Sequence, residues 1–92
     1  MMGAAKPAQP MSAVESAILA SVEAAICANV GAKAPLVGKS FMSQVVAGTN
    51  YFIELTDADG ATFHARIFKG FDGVASLHSS KSVSGGATLA YF

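Results

Sequence analysis

The side chains able to do covalent or metal chemistry are few: one cysteine, Cys27, and two histidines, His64 and His78. A thiol nucleophile needs a base within hydrogen-bond reach and a third group that orients the base. Cys27 lies instead in the alanine-rich stretch Ala24-Ala25-Ile26-Cys27-Ala28, and nothing in the spacing supplies such a set. The same three residues are too widely scattered for a zinc site. They read as structural side chains, so the sequence assigns no catalytic residue, no metal ligand and no cofactor. With one cysteine there is no intramolecular disulfide, which makes a cytoplasmic home the default.

Binding chemistry is better represented, in Gln44-Val45-Val46-Ala47-Gly48-Thr49-Asn50-Tyr51. Loop tips are normally polar because water satisfies their backbone. Two valines beside a turn glycine therefore suggest a surface to be covered by a partner. Val45 to Gly48 alone would equally suit a buried strand corner, since β-branched residues pack well in sheets and glycine marks bulges.

Charge narrows the partner. Six basic and six acidic side chains give a formal net charge of zero. Lys6, Lys33, Lys39, Arg66, Lys69 and Lys81 are dispersed, which argues against nucleic acid or an anionic membrane. Charged residues make up 13% of the chain, against about 25% in ordinary soluble domains, so association is favoured. Residues 17 to 32 are apolar-rich but short and interrupted by Glu23 and Asn29, a poor membrane span. Met1 to Pro7 has no basic segment followed by an apolar core, unlike a secretory signal.

The elements that must position these residues follow from periodicity. Residues 1 to 11 contain two prolines and small side chains, and read as a flexible or extended arm. Ser12 with Glu15 fits a capping box at a helix start. Val14, Ile18, Val22 and Ile26 recur every four residues, widened by Leu19 and Ala25, which predicts one amphipathic helix with this stripe in the core. Gly31 stops it and Pro35 prevents its resumption.

From Leu36 the pattern is β. Tyr51, Ile53 and Leu55 alternate with polar or bulky neighbours, and so do Phe63, Ala65 and Ile67, giving two half-buried strands. A two-residue turn at Asp59-Gly60 would place Leu55 opposite His64 and mix the faces. A three-residue loop over Ala58, Asp59 and Gly60 pairs Leu55 with Phe63, Ile53 with Ala65 and Tyr51 with Ile67. The outer face then carries Phe52 across from Arg66 and Glu54 across from His64. A turn at Gly70-Phe71-Asp72-Gly73, a weaker strand around Val74 to Val83 and a last strand ending at Tyr91-Phe92 complete a single α+β domain of residues 1–92.

These segments together resemble the stefins, the small intracellular cystatins without disulfides. The resemblance rests on Gly3, Ala5-Lys6-Pro7-Ala8, Ser40-Phe41 before Ser43, and Gln44 to Tyr51. Ile53, His64, Arg66, Ile67-Phe68-Lys69 and the closing Tyr91-Phe92 extend it. It is strongest over residues 40 to 69. It implies a cystatin-like fold, one long α-helix packed across a curved antiparallel β-sheet of four to five strands. It also implies an inhibitor of papain-like cysteine proteases, monomeric when inhibitory. The arm around Gly3, the hairpin Gln44, Val45, Val46, Ala47 and Gly48, and the second loop with Phe71 and Asp72 would together fill the protease cleft. At that second loop stefins usually carry Leu-Pro; here Asp72 introduces a charge that must be desolvated or paired. The alternative reading is a cystatin-fold scaffold with weak or no inhibition that self-associates by domain swapping through Val45 to Ala47.

Overall fold

The computed structural model describes residues 8–84 and residue 89, and it has the expected α+β arrangement of helix packed across antiparallel sheet. The order is β1 (Gln9–Pro10), α1 (Ala13–Ser21), α2 (Glu23–Val30), β2 (Val37–Val46), β3 (Gly48–Thr56), β4 (Thr62–Lys69) and β5 (Ala75–Val83). The five strands lie in the sheet in chain order, each antiparallel to its neighbour. The arm is not wholly apart from the fold, because Gln9 pairs with Phe41 and Pro10 with Ser40. Gly3 lies outside the described residues, and so does the strand expected to end at Tyr91-Phe92 apart from the buried Leu89.

The helix starts where the capping box placed it. Ser12 accepts from the Val14 amide at 3.3 Å, while the Glu15 carboxylate accepts from the Ser12 amide at 2.9 Å and from the Ser12 hydroxyl. It ends at Gly31, whose φ of 72° lets its N–H close on the Cys27 carbonyl at 2.9 Å. Between these points the single helix expected is broken at Val22 into α1 and α2, bent by 56°. The Ser21 hydroxyl donates to the Ile18 carbonyl at 2.7 Å, a local bond that competes with the helical ladder. Val22 closes an i−3 bond to Leu19 instead of continuing the α pattern. A row spaced by four also drifts around a helix of 3.6 residues per turn, so a straight helix could not keep all four stripe residues on one sheet. Among the described residues no single helix is long and apolar enough to cross a membrane.

That drift corrects two core assignments. Ile18, Val22 and Ile26 are buried with Leu19, but Val14 is 55% exposed and Ala25 faces solvent. The sheet side of the core is Phe41, Ile53, Leu55, Phe63, Ala65 and Ile67.

The central hairpin has the expected register: Leu55 opposite Phe63, Ile53 opposite Ala65, Tyr51 opposite Ile67. Gly60 takes φ of 82° in the three-residue loop, and the Asp57 amide closes it on the Ala61 carbonyl at 3.0 Å. The cross-strand pairs on the other face also form, with His64 Nε2 at 3.0 Å from Glu54 Oε1 and the Arg66 guanidinium 5.7 Å from the Phe52 ring centroid. That face is not the open one expected. Phe52 is 1% exposed and His64 2%, so the centre of the outer face of β3 and β4 is covered, while Glu54, Arg66 and Phe68 around it are half-buried. Alternation alone does not show that long side chains on the outer face, Arg66 over Phe52 and Glu54 beside His64, lie across their neighbours.

Candidate functional site

Antiparallel pairing brings the two candidate loops to one end of the sheet. The β2–β3 hairpin turns there, and Thr49 at the start of β3 lies opposite Lys69 at the end of β4, from which the second loop departs. The tips are thus adjacent because their strands are neighbours. Gln9 is the end of β1 nearer these tips, since β1 runs antiparallel to β2.

The first tip is tight. Gln44 pairs with Asn50, Val45 with Thr49 and Val46 with Gly48, which leaves Ala47 alone at the reversal. Val45 is 59% exposed, Ala47 is exposed, and Gln44 and Val46 are half-buried. The apolar run is therefore a hairpin tip and not a buried corner. Gly48 itself is buried, with φ of 122°, a conformation that L side chains rarely adopt. A Cβ there would lie 2.6 Å from the Phe68 ring and 2.7 Å from the Lys69 carbonyl oxygen. Glycine is required twice over, for the backbone angle and for the space.

Phe68 is the supporting residue that the sequence reading did not assign to the site. A signal for it existed: the register places Phe68 opposite Asn50 and hence diagonal to Gly48 on the same face, where an aromatic ring can cover a glycine. Asn50 is 5% exposed beneath the same tip. On the helix side, the Tyr51 and Phe41 rings stand 6.3 Å apart at 45°. Burial, and then the nearby Glu15 charge, push the Tyr51 phenol above its ordinary pKa. Burial opposes the Glu15 charge as well, but the bonds from Ser12 outweigh it and hold that carboxyl below the usual range.

The second loop, Gly70 to Val74, is closed by three bonds. Gly73 N–H donates to the Gly70 carbonyl at 3.0 Å, Gly70 N–H to the Val74 carbonyl at 3.2 Å, and Val74 N–H to Asp72 Oδ1 at 3.0 Å. Gly73 has φ of 80°. The Asp72 carboxylate thus acts within the turn, supplying by a side-chain bond some of the order that proline would supply covalently. Phe71 projects from this turn at 88% exposure, and Val74 beside it is 63% exposed.

The residues weighed for catalysis are kept apart. Cys27 packs against the core on the helix side of the sheet, whereas His64 alternates with core residues Phe63 and Ala65 and so points to the opposite face. His78 is exposed on β5. Among the described residues no three His, Cys, Asp or Glu side chains come together as a metal site.

No protein-family model matches the chain. It is 40% identical to cystatin-B of Macaca fuscata fuscata over 70 residues, covering 75% of this chain and 71% of that protein. It is 39% identical to cystatin-B of Pan troglodytes and of Homo sapiens over the same length and the same shares.

Proposed function

The chain belongs to the stefin family of cystatins, and from that premise we propose that it is a reversible, tight-binding inhibitor of papain-like cysteine proteases. As a member of that family it is not an enzyme. The observation that carries the proposal is the adjacency of two hairpin tips whose apolar side chains, Val45, Ala47 and Phe71, stand in solvent at one end of the sheet. Exposed apolar groups on a rigid frame suit a concave partner, because burying them on binding releases water without a large ordering cost.

Inhibition in this reading is occlusion. Gln44 to Gly48 lies over the protease's catalytic cysteine, Phe71 and Asp72 fill the cleft on one side, and the arm around Gly3 fills the other. No bond of the inhibitor is presented for attack, since the tips contribute side chains while their backbone is tied into the hairpins. Titration of papain or a cathepsin with the intact chain tests this. Stoichiometric inhibition in the nanomolar range is expected, and absence of inhibition at micromolar protein overturns the assignment. Removal of residues 1 to 4 should speed dissociation and leave the fold unchanged.

A second reading, exchange of strands between two chains through the Val45 to Ala47 hinge, draws support from Gly48, whose unusual φ would relax if β2 and β3 straightened into one strand. Such a dimer would consume the first tip. Gel filtration before and after warming separates the two: a monomer with full inhibition throughout rejects the exchange.

A further inference from the structure

Between α1 and the β4–β5 hairpin lies an open apolar groove of about 640 Å³, lined chiefly by Val14, Ala17 and Ile18 on the helix and by Lys69, Val74 and Ala75 on the hairpin. Val14 and Val74 stand open to solvent at its edges. Lys69 is the charged group of the lining, and it makes no ion pair among the described residues. Next to the groove, and sharing Gly73 and Val74 with it, is the second tip. There an apolar knob, Phe71 at 88% exposure, is followed by an acid, Asp72. The turn uses Asp72 Oδ1 and not Oδ2.

Knob and groove are complementary in both respects that matter: ring against apolar lining, carboxylate against unpaired ammonium. Within one molecule they do not meet: Phe71 stands 88% exposed, and no ion pair joins Lys69 to Asp72 among the described residues. We propose that the occupant of this groove is the Phe71-Asp72 tip of a second copy of this chain, in a two-fold symmetric dimer of intact monomers. The symmetry follows from the adjacency. When the tip of one copy enters the groove of another, a two-fold axis beside the hairpin brings the second tip into the first groove. Both contacts are then satisfied and assembly stops at two. A chain with 13% charged residues and no net charge offers little long-range repulsion to oppose the approach.

This dimer has the mass of a strand-exchanged one but differs from it in kinetics and in which tip it uses. It requires no opening of the β2–β3 hairpin, so it forms without warming and dissociates quickly on dilution. It also leaves the first tip free. The dimer stands independently of the inhibitor reading; under that reading it withdraws the second tip from the protease.

Sedimentation velocity over a concentration series, on the order of 10 μM to 1 mM, tests it, a range that spans micromolar to millimolar dissociation constants. The intact chain should show a rapidly reversible monomer–dimer equilibrium. Because each substitution occurs at two contacts, Phe71→Ser should weaken dimerisation about a hundredfold, tenfold per contact. Asp72→Asn keeps an oxygen for the Val74 amide and so preserves the turn; it and Lys69→Gln should each weaken the dimer. If the two residues meet across the interface, the double variant should be no weaker than the worse single variant. A strictly monomeric chain across the series, a dimer unaffected by Phe71→Ser, or additive effects of Lys69→Gln and Asp72→Asn would each overturn the proposal. Far-ultraviolet circular dichroism of every variant confirms that the loss is of contact and not of fold.

Discussion

At the Asp57 to Ala61 turn, three backbone amides converge on one carboxylate: Lys33 at 3.1 Å on Oδ2, and Asp59 and Ala61 each at 3.0 Å on Oδ1. The Lys33 carbonyl answers by accepting from the Ala58 amide at 2.8 Å, which ties the segment after α2 to the β3–β4 loop. At the other end of the same sheet the tips leave Val45, Ala47, Phe71 and Val74 in water. One end uses polar bonds to hold the chain in place; the other is held by a glycine, a ring and a short turn, and leaves its apolar side chains uncommitted. Substitutions at the polar end should therefore affect the fold, and those at the apolar tips only partners.

Gly48 is the exception among the tip residues, because there the partner-facing end depends on a structural residue. Gly48→Val should cost about 3 kcal/mol of stability, from the positive φ and from contact with Phe68, read as a lower urea midpoint. A change well under about 1 kcal/mol would show that the hairpin re-forms around a side chain.

Val46→Asp acts on the partner-facing surface. It should weaken protease binding by about 2 kcal/mol, some thirtyfold, with the helical and β content intact and only a small drop in the unfolding midpoint, because Val46 is half-buried at the tip. Loss of the fold in that variant would move Val46 into the core.

Asp57→Asn tests the opposite end. Burial works against the Asp57 charge, but the amides of Lys33, Ala61 and Asp59 and the Lys33 charge outweigh it and lower the pKa. A depressed carboxyl contributes its stability in full above the unfolded value of about 3.9 and loses it as pH falls through the folded value. The gap in stability between the parent and Asp57→Asn should therefore be widest near neutrality and close below about pH 4, with protease inhibition at neutral pH unaltered. A gap that does not narrow in acid would locate the effect in shape and not in charge. The smallest change is expected at Val14, where replacement by serine should shift stability by no more than about 0.5 kcal/mol because the side chain is mostly solvated already.

How much of this was legible beforehand depended on whether the signal was local. The central hairpin could be read because two alternating runs and one Asp-Gly turn admit a single register that keeps Leu55, Ile53, Phe63 and Ala65 on one face. The start of the helix could be read because Ser12 and Glu15 are three residues apart and bond to each other. The bend at Val22 could not, since periodicity gives the phase of a stripe and not its curvature. Nor could the covering of Phe52 and His64, which depends on how the neighbouring Arg66 and Glu54 side chains lie. Contacts distant in sequence were equally hidden: the Asn29 side chain donates to the Ser80 hydroxyl at 2.6 Å, and Glu23 accepts from the Leu36 amide at 2.9 Å, fastening α2 to β5 and to the approach to β2. At the candidate site the motif gave the tip, and the supporting ring at Phe68 emerged only from the register.

The pairing of Gly48 with Phe68 has a consequence for how this hairpin could vary. The positive φ that permits the reversal and the ring that supports it belong to Gly48 and Phe68, so exposed Val45 and Ala47 can differ at little folding cost and half-buried Val46 at a moderate one, whereas a side chain at position 48 meets both the backbone angle and the Phe68 ring. A randomised library over 45 to 47 should yield mostly folded chains with altered targets, and one that includes 48 should collapse back to glycine. The frame and the recognition surface are thus separable inputs for redesign, divided at a single peptide bond between Ala47 and Gly48.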